Sequence, residues 1–203
     1  MKLNKILVPI LAAVISTMSV SANQVAEVNA YEVGLNMNNS DLELRGAGYL
    51  QFGSSPTILK ASGSVLHADD FDKATIGVTL QNRIEPIPGA YFGVGLNYTY
   101  LESDAGIYLN LFQLPIVMNA TYFFPELKYN IPPVAMRAEV QYAPEVLSFQ
   151  DSKGYQYGSF ETSIEPIEDI ELYLGYRYGS VDSIYGDSKE FTNDIYFGLS
   201  AQF

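Results

Sequence analysis

The chain has 203 residues and a formal net charge of −12, with sixteen tyrosines, eleven phenylalanines, no tryptophan and no cysteine. Such acidity excludes nucleic acid as a partner, because binding phosphates requires clustered Lys and Arg. The absence of cysteine excludes disulfides and the thioether of a lipoprotein anchor, and the length suits a single domain.

In chain order, Lys2 and Lys5 precede an apolar stretch from Ile6 to Ile15, and small residues lead to Val20-Ser21-Ala22. These are the three regions of a secretory signal peptide, which the sequence places over residues 1–22, ahead of one exported domain over 23–203. The stretch is too short for a membrane helix, and Pro9 interrupts it.

Ten segments with strand character follow, at 25–37, 42–52, 57–67, 74–84, 90–100, 113–124, 134–142, 155–165, 170–178 and 194–203. Most have the length that a tilted strand needs to cross a hydrocarbon core. In the second, Leu42, Leu44, Leu50 and Phe52 share one face, while Glu43, Arg45, Tyr49 and Gln51 share the other. The fourth sets Ile76, Val78 and Leu80 against Thr75, Thr79, Gln81 and Arg83. The ninth sets Ile170, Leu172, Leu174, Tyr176 and Tyr178 against Glu171, Tyr173, Gly175 and Arg177. The last alternates Ile195, Phe197, Leu199, Ala201 and Phe203 with Tyr196, Gly198, Ser200 and Gln202. Its aromatic close, carried by Tyr196, Phe197, Leu199 and Phe203, has the pattern of a carboxy-terminal insertion signal of outer-membrane barrels, read by the barrel-assembly machinery.

Alternation alone does not say which face is inside, since a soluble barrel turns its apolar side inward. Side-chain size does. The polar faces carry Gly34, Ala47, Ser62, Ser64, Gly77, Gly93, Gly95, Asn97 and Gly175, whereas Leu, Ile, Phe and Tyr crowd the apolar ones. Small residues fit a narrow interior and bulky ones fit lipid, so the expected fold is an all-β, transmembrane, antiparallel up-and-down β-barrel of about ten strands, with eight as the alternative.

Gly53-Ser54-Ser55-Pro56, Glu85 to Gly89 and Pro166-Ile167-Glu168-Asp169 read as tight periplasmic turns. Ala68 to Lys73, Glu102 to Leu111, Pro144 to Gly154 and Gly179 to Asn193 read as longer outward loops. An even strand count then leaves both termini on the periplasmic side. Around Gln113 the register slips and Pro115 interrupts it, which calls for a β-bulge or a short helix capping a loop.

In the last third, Tyr142-Ala143-Pro144-Glu145 with Leu147-Ser148, Tyr157 with Glu161, Glu171 before Gly175-Tyr176-Arg177-Tyr178, and Tyr196-Phe197-Gly198 to Phe203 together resemble the YfaZ family of bacterial outer-membrane proteins. The resemblance implies an outer-membrane barrel and brings with it no catalytic residues.

The charges expected inside are Glu32, Glu43, Glu139, Glu161, Glu165 and Glu171 against Arg45, Lys60, Arg83, Arg137 and Arg177. Unpaired buried charge is costly, so they are expected to interlock as a structural network; charged walls of a narrow channel for small solutes or ions are the competing reading. His67, the sole histidine, stands near Asp69 and Asp70, and no Gly-x-Ser-x-Gly motif accompanies it, so the expectation is a protein that is not an enzyme, without metal or cofactor. Asp69, Asp70, Asp72, Glu102, Asp104, Glu145, Asp151, Asp182, Asp187 and Glu190 make the outward loops acidic, opposed by Lys73, Lys153 and Lys189. Divalent cations could bridge them to lipopolysaccharide, which with outer-membrane lipid is the expected surrounding; a solvated acidic face is the plainer alternative. Tyr98, Tyr100, Tyr122, Tyr142, Tyr176 and Tyr178 fall near strand ends, where aromatic girdles form. The N-x-Ser/Thr matches at Asn38, Asn97 and Asn119 carry no weight, since two of them lie inside strands.

Overall fold

The structure is a computed structural model that describes residues 27–51, 55–69, 71–103, 109–125, 132–185 and 188–203. The expected signal peptide, Phe52 to Ser54 and Asp70, Asp104 and Asp187 lie outside the described residues.

The strands are β1 (Glu27–Met37), β2 (Leu42–Gln51), β3 (Thr57–His67), β4 (Phe71–Arg83), β5 (Ala90–Ser103), β6 (Leu109–Gln113), β7 (Ile116–Phe123), β8 (Val134–Ala143), β9 (Ser148–Gln150), β10 (Ser152–Ile167), β11 (Ile170–Ser183) and β12 (Ser188–Gln202). All pairings are antiparallel, neighbours in sequence are neighbours in space, and β1 closes the ring against β12 through Glu32↔Gln202 to Met37↔Phe197. β6 and β7 both pair with β5 and form one interrupted stave, and β8 and β9, which pair with β7 and β6, form a second, so the molecule is a closed ten-stave up-and-down β-barrel. The interruption is at Leu114 and Pro115, where the slip in register was expected. A proline cannot donate to a ladder, and here its carbonyl accepts from Asn97 N at 3.0 Å instead. Closure leaves no long unpaired edge for another chain to template on.

The outer face carries the bulky apolar residues as expected, whereas the interior holds large side chains, Tyr155, Tyr173 and Arg177 among them, beside its small ones. Val78, Leu96 and Ile116 stand in register on adjacent staves and are all exposed outward, as are Val94, Met118, Val140, Leu174, Ile195 and Phe197. Alternating residues Thr79, Asn97, Asn119 and Tyr196 are buried inside.

Five staves run further than the sequence pattern indicated. Among the described residues, the expected loops Ala68 to Lys73, Glu102 to Leu111, Pro144 to Gly154 and Gly179 to Asn193 are in part strand, because β4, β5, β10, β11 and β12 continue past the apolar belt with inward residues such as Tyr155, Val181 and Phe191 buried. The expected contrast of tight turns and long outward loops is therefore corrected. The connections at 38–41 and 68–70 are short, and the extended one, residues 124–133, lies at the end assigned to tight turns. Polar residues hid the strand extensions, since backbone pairing needs no apolar face.

Two tight turns use left-handed backbone. Asp169 has φ 64° between β10 and β11, and Gly89 has φ 83°, with its carbonyl accepting from Phe123 N at 2.9 Å.

Inward glycines make room for aromatic rings across the ladder. Gly175 faces Tyr196 and Gly198 faces Tyr173, and a Cβ added at either glycine would fall within the facing ring. Gly198→Ala should therefore cost about 1–3 kcal/mol in urea unfolding of the refolded barrel, the overpacking range, although strand propensity alone favours alanine over glycine.

Candidate functional site

Among the described residues, the fold gathers polar side chains from most staves in the interior. Three ionic groups cross it. Near the loop end, Arg177 on β11 donates from Nη2 to Asp41 Oδ2 at 2.7 Å and from Nη1 to Glu43 Oε2 at 2.9 Å. Glu43 Oε2 also accepts from Asn36 Nδ2 at 2.8 Å, and Asn36 Oδ1 accepts from the Tyr173 hydroxyl. The Arg177 side chain is 1% exposed, and its guanidinium lies 5.0 Å from the centre of the Tyr196 ring.

At mid-height, Arg45 on β2 reaches Glu161 Oε1 on β10 at 2.6 Å and Glu32 Oε1 at 3.5 Å, and stacks 4.2 Å from the Tyr173 ring centre. Tyr196 and Tyr49 donate to Glu161 and Glu32 at 2.6 and 2.7 Å. Between β2 and β10 stand β1, β12 and β11, so the Arg45–Glu161 bond spans the lumen instead of joining neighbours on the wall. Closer to the turn end, Arg137 Nη2 meets Glu171 Oε1 at 2.8 Å, and Ser163 and Ser200 donate to the same carboxylate at 2.6 and 3.4 Å. Charge-assisted bonds of this kind are what makes buried ions tolerable, although Arg45 Nε and Arg177 Nε are buried without a hydrogen-bond partner.

Of the charges expected inside, Glu32, Glu43, Arg45, Lys60, Arg137, Glu139 and Glu161 line a polar cavity of about 150 Å³. Glu171 and Arg177 are buried beside it in the pairs above. Glu139 accepts from Gln141 Nε2 at 2.7 Å, and the Lys60 ammonium lies 5.4 Å from the Tyr49 ring centre. Two residues stand elsewhere: Arg83 is exposed at the end of β4, and Glu165 accepts from Asp169 N at 3.0 Å in the β10–β11 turn region. Both are too close to a strand end to reach the interior.

Sequence reasoning missed Lys73, assigned to a loop. It is inward on β4, 3% exposed, with its ammonium 3.8 Å from the Tyr157 ring centre and 5.9 and 5.8 Å from those of Tyr155 and Phe191. The signal was present in the parity of Thr75 and Thr79, which extends to residue 73 if the strand is allowed to start earlier. Asp41, just before β2, was missed because it precedes the alternating run.

The interior is also not polar throughout. Leu101, Leu111, Ala143, Tyr155, Tyr157, Val181 and Phe191 form a dry cluster beneath the loops, with Phe71 and Leu147 against it. His67 is exposed at the outer end of β3, and its Nδ1 lies 2.5 Å from Asp72 Oδ1, a partner across the hairpin instead of Asp69. Tyr98, Tyr142, Tyr176 and Tyr178 are exposed outward, while Asn97 and Asn119 are buried inward. Among the described residues there is no group of three or more His, Cys, Asp or Glu arranged to hold a metal ion.

No protein-family model and no curated protein matches the chain. Its strand arrangement is similar to that of solved barrels. The outer-membrane channel DcaP of Acinetobacter baumannii is 10% identical with a TM-score of 0.43 over 90% of this chain, which spans 66% of that channel's length. The NanC porin is 11% identical with a TM-score of 0.43 over 86% of this chain and 98% of its own. A bacterial polysaccharide outer-membrane secretin is 12% identical with a TM-score of 0.43, over 85% of this chain and 69% of its own.

Proposed function

We propose that this protein is an integral outer-membrane β-barrel of the bacterial envelope, with a structural or surface-interaction role and no enzymatic activity. The observation that supports this most strongly is the pair of oppositely directed surfaces: an exposed apolar belt carried by β1, β4, β5, β7, β8, β10, β11 and β12, and an interior crossed by Arg45–Glu161 and Arg177–Glu43. Water would not stabilise the first and a wide pore would not hold the second. The resemblance of Tyr142 to Phe203 to the YfaZ family points the same way. In this reading the chain is exported by its signal peptide, its last strand is read by the barrel-assembly machinery, and its belt contacts outer-membrane lipid and lipopolysaccharide. His67 has no catalytic part in it.

Planar-bilayer recording of the purified protein tests the role. The expected result is a quiet membrane; sizeable, reproducible single-channel steps would establish the competing reading, a narrow channel for small solutes or ions. That second reading is favoured by the polar cavity, whose walls include half-buried Lys60 and Arg137. Recovery in the detergent-free periplasmic fraction would overturn the membrane location itself.

A further inference from the structure

The two ends of the interior differ in kind. Beneath the loops, side chains from most of the staves meet in one layer without solvent. Leu101 and Leu111 are 1% and 0% exposed, Tyr155 is 1% and Val181 is 3%. Phe191 closes against Tyr155 with ring centres 5.6 Å apart and against Phe71 at 5.4 Å. Where β1 and β2 leave the apolar cluster incomplete, Arg177 with Asp41 and Glu43 fills the section, and Leu66 on β3 is also fully buried. Lys73 marks the lower boundary of this layer: its stem runs among the aromatics while the ammonium, over the Tyr157 ring, lines the cavity below.

Below that boundary the walls change. Lys60, Ser62, Ser64, Gln81, Thr121 and Arg137 line the cavity, and all are half-buried instead of dry. Lys60, Gln81, Thr121 and Arg137 lie on the part of each stave nearer the turns, which are the connections at 52–56, 84–89, 124–133 and 168–169, while Ser62 stands at the middle of β3 and Ser64 just beyond it.

We infer that the interior is a one-ended chamber: the layer of Leu101, Leu111, Tyr155, Val181 and Phe191 is an apolar plug that seals it under the loops, and solvent and small hydrophilic solutes enter from the turn end alone. This rests on the proposed membrane reading, in which the turn end faces the periplasm, and adds which layer does the sealing. The ionic bridges across the middle hold the staves at fixed separation but leave room beside them, as the cavity shows. Apolar constrictions close water paths by dewetting, without a covalent or charged barrier.

A chain without cysteine makes the test clean. Single-cysteine variants Ser62→Cys and Thr121→Cys, in lipid vesicles of uniform orientation, are exposed to a charged methanethiosulfonate from one side at a time. Val146→Cys at the loop end and Ile87→Cys at the turn end, both at exposed positions, report the orientation. The chamber cysteines should react from the turn side and be silent from the loop side. Adding Leu101→Ala and Phe191→Ala should create reaction from the loop side, whereas Glu161→Gln should not. Reaction of the parent variants from the loop side, or no reaction from the turn side, overturns the chamber; unchanged protection after plug truncation overturns the assignment of the seal. Failure of the membrane reading shows separately, as loss of sidedness in the two orientation reporters.

Discussion

Arg177→Met should lower the stability of the barrel by about 3–5 kcal/mol, the cost of removing one partner from a buried ionic group and leaving the other charges uncompensated. Arg177 is 1% exposed and is bonded to both Asp41 and Glu43, so two carboxylates lose their counter-charge at once. Methionine keeps most of the volume, which separates the electrostatic effect from a cavity. Urea unfolding of barrels refolded in lipid vesicles gives the measurement. The companion variant Glu43→Gln in the Arg177→Met background should recover part of the loss, with a coupling of about 0.5–3 kcal/mol as expected for residues in direct contact. Equal stability of Arg177→Met and the parent would mean that the bridge across β11 and β2 contributes nothing to holding the staves together.

Leu96→Arg should cost about 2–4 kcal/mol in the same assay, because it places a charge at the middle of a lipid-facing stave. Leu96 is 55% exposed, halfway along β5, with Val78 and Ile116 directly beside it on the neighbouring staves. A half-exposed leucine on a barrel bathed in water could be replaced by arginine with a change within about 0.5 kcal/mol. The two surroundings thus predict results that differ by more than the error of the measurement. Arg83, already exposed at the end of β4, provides the internal comparison: Arg83→Leu should be nearly neutral.

The legible part of this protein was what repeats every two residues. Ile170 to Tyr178 and Ile195 to Phe203 alternate so regularly that strand, face and direction follow from neighbouring residues alone, and the glycines at 175 and 198 marked the inner face by size. The strand ends were less legible. Lys73 and Phe191 belong to staves whose outer segments carry polar residues, and only pairing with the adjacent stave, as in Lys73↔Leu101, makes them strand. The apolar layer under the loops was missed for the same reason: Leu111, Val181 and Phe191 lay in segments that read as loops, and Tyr155 began the strand beside one.

By itself, the order of residues determined that the chain forms a ring of alternating strands, with apolar side chains on one face and polar ones on the other, since that pattern is local and needs no knowledge of what lies across the barrel. Only the tertiary structure decided that Arg45 meets Glu161 and that Arg177 meets Asp41 and Glu43, because these partners are more than 100 positions apart. Their heights match only once the ring closes with a particular stagger. That stagger is a sum over ten pairings, each shifted by turns and by irregularities such as those at Val28/Ala30 and Gly179/Ser180, and a shift of one residue anywhere would turn every following inward side chain outward.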